Sequence, residues 1–467
     1  MKKLITTPIY YVNDIAHLGH AYTTLAADVL TRFFREQGEQ VFFLTGTDEH
    51  GAKIAESAKK EGKDPKEFCD EKSELFKKTW ENLNIKYDHF VRTTDEKHEK
   101  AVKKFLENLK DSIYEKEYEG LYCTGCEKFL TEKELVDGLC PDHKKEPEKI
   151  KEKNYFFKLK DYLNKVEKLI ESGKLKIEPD FARKETLALL KQDLDDFSIS
   201  RQKVKWGIEF PFDKNQTIYV WFEALLNYVS SIGYGTDEFN EWWDDAEIVH
   251  LLAKDILKFH TIYWPAILLA AKQKTPDKEF IHGFFTVDGQ KMSKTIGNVI
   301  DPNDIVNEFG VDGARYLLLS QFPFGQDGDF KKEKFIEKYN SDLANGLGNL
   351  VARVLKLATD KKLEPEKNIL DRTKQTRDNY LEYFKDFKLF EVLNEIWKLI
   401  AFCNEYIDKN KPWESENREQ IISNLLYAIS EIAFLIEPFL PETSEKIKKQ
   451  LENNKSIILF KRMLSIT

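Results

Sequence analysis

Leu4-Ile5-Thr6-Thr7-Pro8-Ile9-Tyr10-Tyr11-Val12 is apolar or β-branched at every position except the proline. Such an uninterrupted run reads as a strand buried on both faces. The period then changes. Leu18, Tyr22, Leu25, Val29 and Phe33 recur at three- and four-residue intervals within residues 16–37, one stripe of a helix, and Gly38 stops it. Residues 40–45 return to a strand pattern. Strand, helix and strand in this spacing predict a right-handed parallel crossover, and with it an α/β fold.

His17-Leu18-Gly19-His20 falls where the first strand gives way to the helix. A helix start presents orphan N–H groups and the positive end of the dipole, which favour an anion. Histidines three apart can face one side of that turn, and Gly19 lets a ligand approach the backbone. Taken alone, H-x-G-H reads as one capping and one buried histidine. A second motif, Lys291-Met292-Ser293-Lys294-Thr295, follows the turn signal Asp288-Gly289 and precedes Gly297-Asn298. Taken alone it reads as a solvated turn, or as a loop that closes over a polyphosphate. The combination is the specific signal: two imidazoles and two ammoniums for one anion, without a Gly-rich P-loop. It suits attack at the α-phosphate of ATP, with the lysines managing the departing charge.

The 467 residues exceed one ordinary domain, and 41% hydrophobic with 13% aromatic residues suffices for proper cores. No run of 18 apolar residues occurs, so no membrane partner is expected, and Met1-Lys2-Lys3 opens directly into the first strand rather than a signal peptide. Five cysteines are too few for a disulfide scaffold, which points to a reducing, cytoplasmic setting. The net charge of −9 is uneven: residues 341–467 hold 20 Lys+Arg against 20 Asp+Glu, so the first 340 carry the deficit. An RNA partner would then be met by local basic contacts, not a basic coat.

Further along, helical patterns cover residues 65–84 and 96–110. Residues 114–153 are rich in turns and charges, and 115–215 read as an insertion that interrupts the sheet. Strand patterns resume at 216–220, 247–253 and 279–286, alternating with helices at 221–232 and 255–271. Beyond residue 304 the pattern is helical, over 310–320, 333–360, 371–386, 388–410, 416–436 and 441–453, with a last strand expected at 456–460.

Within the insertion, Cys123-x₂-Cys126 and Cys140-x₂-His143 form a Cys₃His set. The spacing suits one tetrahedral Zn²⁺, and four protein ligands make such a site structural rather than catalytic.

The two anion-binding motifs resemble the signatures of class I aminoacyl-tRNA synthetases, and the surrounding text resembles the methionyl-tRNA synthetase family. The matching stretches include Thr7-Pro8-Ile9-Tyr10-Tyr11-Val12-Asn13, Gly46-Thr47-Asp48-Glu49-His50-Gly51, Tyr219-Val220-Trp221-Phe222-Glu223-Ala224, Lys254-Asp255-Ile256 and Phe259-His260. The resemblance extends from Leu4 to about Pro441. It implies that His17 and His20 stabilise the α-phosphate during attack, and that Lys291 and Lys294 hold the pyrophosphate side. It implies an ATP site of His17, Gly19, His20, Lys254, Asp255, Lys291 and Lys294, with Mg²⁺ accompanying the nucleotide. Asp48 would pair with the methionine ammonium. Ile9, Tyr11, Trp221, Ala224, Tyr228, Phe259 and His260 would line the thioether pocket, where sulfur gains roughly 0.3–1.5 kcal/mol from an aromatic ring. Two departures stand out: Ala253 where the family has glycine before Lys254-Asp255, and Thr295 where it has serine.

The resemblance also implies the organisation. Residues 1–114 and 216–286 would be halves of a Rossmann-type parallel-sheet catalytic domain, split by a zinc-knuckle insertion at 115–215. Residues 287–340 would be a lysine-loop linker, and 341–467 an all-α helical-bundle anticodon-binding domain. There Asn349 and Arg353, one turn apart, would read anticodon base edges, and Trp413 after Pro412 would stack on a base. The expected partners are methionine, ATP and tRNA(Met), elongator and initiator, for a monomeric ligase. The competing expectation is a catalytically inactive, zinc-containing tRNA-binding relative.

Overall fold

A computed structural model describes the chain except residues 14, 124–127, 131, 133–134, 142–143, 293–296, 360–362 and 465–467 and the side chains of 128 and 291. The described chain forms two compact units: Met1–Ala16, Phe34–Lys78 and Lys86–His282 make one, and His17–Phe33, Thr79–Ile85 and Gly283–Thr467 the other.

The first unit is built on a six-stranded sheet of β1 (Lys2–Tyr11), β2 (Gln40–Asp48), β3 (His89–Arg92), β4 (Lys176–Glu178), β5 (Glu247–Ala253) and β6 (Lys278–His282). The spatial order is β3-β2-β1-β5-β6-β4, and every pairing is parallel. The chain order reverses between β1 and β5, so the carboxyl ends of these strands flank a topological switch point, where open α/β sheets bind ligands. Burial on both faces explains the apolar and β-branched text at the centre of β1 and β5, broken there only by Pro8 and His250. Leu4, Leu44, Val91, Ile248 and Ile281 contribute to one core with Trp243 and Trp264. Pro8 lacks an N–H, and the β1–β2 register shifts between Thr6 and Ile9. Tyr11 still ends opposite Asp48.

The same unit carries an antiparallel sheet in which Ile113–Cys123 pairs with Lys128–Leu130 and with Glu148–Phe157, and the latter with Phe197–Ser198. Its alternating charges form cross-strand ion pairs Glu115–Lys153, Glu117–Lys151 and Glu119–Lys149.

The second unit contains most of α1 (Leu18–Glu36) and the C-terminal helices α2 (Asn349–Leu357), α3 (Lys367–Lys385), α4 (Leu389–Asn410), α5 (Arg418–Ile436) and α6 (Pro441–Asn453). Arg315 lies fully buried inside it, donating to Asp28 (2.7 Å) and to the carbonyls of Leu83 (3.0 Å), Pro438 (2.8 Å) and Phe439 (2.7 Å). The helix α5 is long and apolar enough to cross a membrane by length and composition, but 61% of its apolar window is buried in the protein. A mixed α/β fold with a parallel sheet and a C-terminal helical region is thus observed.

Three readings need correction. The expected strand at 279–286 is two elements: β6 ends at His282, and Phe285–Val287 belongs to another sheet. At the break, a side chain on Gly283 would meet Asp327, whose Oδ1 accepts the Phe284 N–H at 2.7 Å. The strand expected to deliver Trp221 is only Thr217–Ile218, and it pairs antiparallel with Ser200–Arg201 outside the parallel sheet. Residues 456–460 form no strand.

Candidate active site

In the second unit, the His17 and His20 rings stack with centroids 3.6 Å apart. The Gly19 N–H donates to His17 Nδ1 (3.1 Å) and the His17 N–H to His20 Nδ1 (3.3 Å). Both Nδ1 atoms therefore accept, and in the neutral rings the proton resides on Nε2. Burial lowers His17 to about 4; burial and the neighbouring His17 push His20 well below the ordinary imidazole range. At neutral pH the pair offers two Nε2–H donors without net charge. Capping and anion binding are thus compatible here: one nitrogen of each ring serves the helix start and leaves the other protonated.

The lysine motif begins on a hairpin in this unit. Phe285–Val287 pairs antiparallel with Gln290–Lys291, and Asp288 (φ 51°) with Gly289 (φ 73°) forms the left-handed two-residue turn that Asp-Gly predicts. Tyr22, Phe285, Phe322 and Phe330 make successive ring contacts that join α1 to this hairpin. Leu18 N–H donates to Ile300 O at 3.2 Å, and the Met292 methyl lies 3.9 Å from where a Gly19 Cβ would stand. The two motifs are therefore neighbours. Lys294 and the Lys291 side chain lie outside the described residues.

In the first unit, Asp48 is buried at the carboxyl end of β2 beside Tyr11 at the end of β1. Tyr11 donates its hydroxyl to His50 O at 3.1 Å. His50 Nδ1 meets Glu223 Oε1 at 2.7 Å. Burial would lower His50, but the Glu223 carboxylate outweighs it and raises the imidazole; burial raises Glu223 in turn. Gly51, at φ 108° and ψ 168°, starts the next helix in a conformation open essentially only to glycine. Its N–H donates to Trp206 O at 3.0 Å.

Trp221 and Phe259 stack at 4.5 Å, both half-buried, while Ile9 is partly and Ala224 fully buried. Tyr228 and His260 are buried and joined through the tyrosine hydroxyl and Nε2 at 2.8 Å. His260 Nδ1 donates to Ile256 O (3.1 Å), so Nε2 accepts from Tyr228. Burial lowers His260 to about 4, which keeps it neutral. Behind them His250 stacks on Tyr228 at 4.2 Å, accepts from Trp264 Nε1 (3.2 Å) and donates to Thr6 (2.7 Å). A π-helical turn, Phe259–Tyr263, precedes Pro265, which cannot donate to the preceding turn. Lys254 and Asp255 lie in the short turn directly after β5; Lys254 faces Glu185 at 3.6 Å and Asp255 is exposed.

Two residues of this region escaped the sequence reading. Trp206 donates to Glu49 O at 2.6 Å, and Arg201, buried against the Tyr219 ring at 3.8 Å, lines a small cavity with Gly51 and Trp206. Neither stands in a recognisable motif; only tertiary contacts mark them.

Elsewhere in the first unit, Cys123 and Cys140 are buried in one cluster with Leu130, and Leu135 packs on it. Cys123 closes a strand pair opposite Lys128, and Cys140 exchanges backbone hydrogen bonds with the 144–145 turn. Cys126 and His143 lie outside the described residues, and among the described residues no three metal-ligating side chains converge. In the helical region Asn349 is exposed, Arg353 pairs with Asp408 at 2.5 Å, and Trp413 is 49% exposed beside buried Pro412. Such exposure excludes a core role for Trp413.

A family model for class I tRNA synthetases (M) matches residues 3–149 and 143–355, and one for the anticodon-binding domain of tRNA ligases matches 366–463. A methionine–tRNA ligase of Clostridium acetobutylicum is 46% identical over 96% of this chain and 73% of its own length; one from Thermotoga maritima is 42% identical over 97% and 75%. The solved Mycobacterium tuberculosis methionyl-tRNA synthetase in complex with methionyl-adenylate superposes with a TM-score of 0.92 at 34% identity, covering 97% of this chain and 95% of that one. On these grounds the chain belongs to the methionyl-tRNA synthetase family of class I tRNA synthetases.

Proposed function

We propose that the protein is a methionine–tRNA ligase that joins methionine and ATP into methionyl-adenylate, releasing pyrophosphate, and passes the methionyl group to the 3′-terminal adenosine of tRNA(Met). The observation that carries this reading is the stacked, neutral His17–His20 pair with both Nδ1 atoms committed to the backbone. Two fixed Nε2–H donors suit the charge that builds on the α-phosphate oxygens as the carboxylate attacks, and neutral donors do not over-bind the ground state. Lys291 and Lys294 take the pyrophosphate side, and Lys254 and Asp255 the adenosine. Mg²⁺ enters with ATP as part of the substrate.

Asp48 receives the substrate ammonium. Tyr11, Trp221, Tyr228 and Phe259 offer a polarizable aromatic wall to the thioether, with Ile9 and Ala224 completing the apolar surface. His260 orients the Tyr228 hydroxyl, giving one polar handle in an apolar pocket. An apolar pocket alone discriminates a missing methylene by only about 1–3 kcal/mol. Asn349, Arg353 and Trp413 form the anticodon-reading surface on the helical region. The inactive, tRNA-binding alternative is not favoured, because His17 and His20 are both present and preorganised.

A single Zn²⁺ fits Cys123, Cys126, Cys140 and His143. The support is the chemistry of the donor set and the shared burial of Cys123 and Cys140 among Leu130 and Leu135. The ion would supply cross-linking of two short turns, with no part in the reaction. Methionine-dependent ATP–pyrophosphate exchange tests the function; exchange with another amino acid but not methionine would overturn it.

A further inference from the structure

Glu49, between Asp48 and His50, is fully buried, and each of its polar groups is engaged. Its Oε1 accepts from Thr47 Oγ1 (2.7 Å) and Arg92 Nε (2.7 Å). Its Oε2 accepts from Arg92 Nη2 (2.9 Å) and from Thr94 Oγ1. The backbone N–H donates to Thr93 Oγ1 (2.9 Å), and the carbonyl accepts from Trp206 Nε1 (2.6 Å) and Cys69 Sγ (3.4 Å). The flanking backbone is held as well: Thr47 O accepts from Thr93 N–H (3.2 Å) and Asp48 O from Val12 N–H (3.2 Å).

A bidentate guanidinium–carboxylate pair fixes direction as well as charge. Arg92 also pairs with Asp70 at 2.6 Å, so one guanidinium serves the buried Glu49 carboxylate and the half-exposed Asp70 carboxylate. Without that cation the buried Glu49 carboxylate, one residue from buried Asp48, would lose its opposite charge. A buried ion pair is weak grounds for stability, since apolar groups of equal volume commonly serve as well. Its place beside Asp48 at the carboxyl end of β2 gives it another use.

From this geometry we propose that Glu49 and Arg92 form a positioning clamp that sets the Asp48 carboxylate for the ammonium group of the amino-acid substrate. The proposal rests on the assignment of Asp48 made above. Glu49 and Arg92 touch no substrate; they act through Asp48. The consequence is selective: loss of the clamp weakens ligands that carry the amine and spares those that lack it.

The test uses the full chain and two probes, methioninol, which has the amine but no carboxylate, and 4-(methylsulfanyl)butanoate, which has the carboxylate but no amine. In Glu49→Gln and Arg92→Gln, methioninol affinity and the KM for methionine are expected to worsen about tenfold, with the KM for ATP and butanoate affinity changed less than about twofold. Arg92→Lys restores the charge without the fork and should fall between. Equal weakening of both probes, or of neither, would overturn the clamp. Should Arg92→Gln fail to fold, Glu49→Gln, which keeps the side-chain volume and an accepting oxygen, decides; failure of both to fold makes the pair structural and also overturns the proposal. Asp48→Asn separates the two levels. If it leaves methioninol binding unchanged, the ammonium assignment itself is wrong; if it weakens binding while the clamp variants do not, only the clamp is wrong.

Discussion

Replacing His20 by alanine and by glutamine probes the claim that the imidazole pair works as neutral donors. His20→Ala removes one preorganised donor from the developing phosphate charge, a loss of about 10²–10³ in the exchange rate, or roughly 2.7–4 kcal/mol. His20→Gln keeps an N–H near the former Nε2 and should retain most of that factor. The pH profile makes the sharper case. With His17 lowered to about 4, only about 1% is protonated at pH 6, against roughly three quarters for an unperturbed imidazole. His20 is depressed further by burial and by His17. ATP–pyrophosphate exchange at saturating methionine and ATP should therefore show no histidine-derived acid limb between pH 6 and 8. An acid limb near pH 6.5 that disappears in His20→Gln would refute the neutral-donor reasoning, because the working form would then be imidazolium.

Three further outcomes follow from other parts of the molecule. Trp413→Ala should raise the tRNA KM about 10- to 100-fold, as loss of a stacked base does, and leave amino-acid activation untouched; steady-state aminoacylation against exchange separates the two. Arg315→Met removes one of the two guanidinium partners of buried Asp28, Arg32 Nε remaining at 2.8 Å, and strips the carbonyls of Leu83, Pro438 and Phe439 of a donor, so urea unfolding should report a loss of about 3–5 kcal/mol. Glu279 on β6 is buried with no hydrogen-bond partner for either oxygen among the described residues, and burial raises its carboxyl well above the ordinary range. Its native form is protonated while the unfolded chain ionises above about 4.3, so it costs stability progressively as pH rises. Glu279→Met should accordingly stabilise by more at pH 8 than at pH 5 in thermal melts.

Local period and local motif were legible, and distance in the chain sets where legibility stops. The alternation from β1 to α1 to β2 is written in consecutive residues, and His17 and His20 stand three apart at the start of α1, a spacing that lets both face one side of the first turn, where their rings stack. Asp288-Gly289 announced its turn for the same reason. The strands His89–Arg92 and Lys176–Glu178 went unread because four and three residues carry no measurable period. The first of them delivers Arg92. Glu49 draws its partners from positions 43, 45 and 157 residues away, and no local pattern relates them. Residues of a short motif are presented together by one turn or one strand end. Groups that hold those motifs in place come from wherever the sheet brings a neighbour. Arg201, Trp206 and Arg92 all reach their partners across the fold, which is why no local pattern in the text marks them.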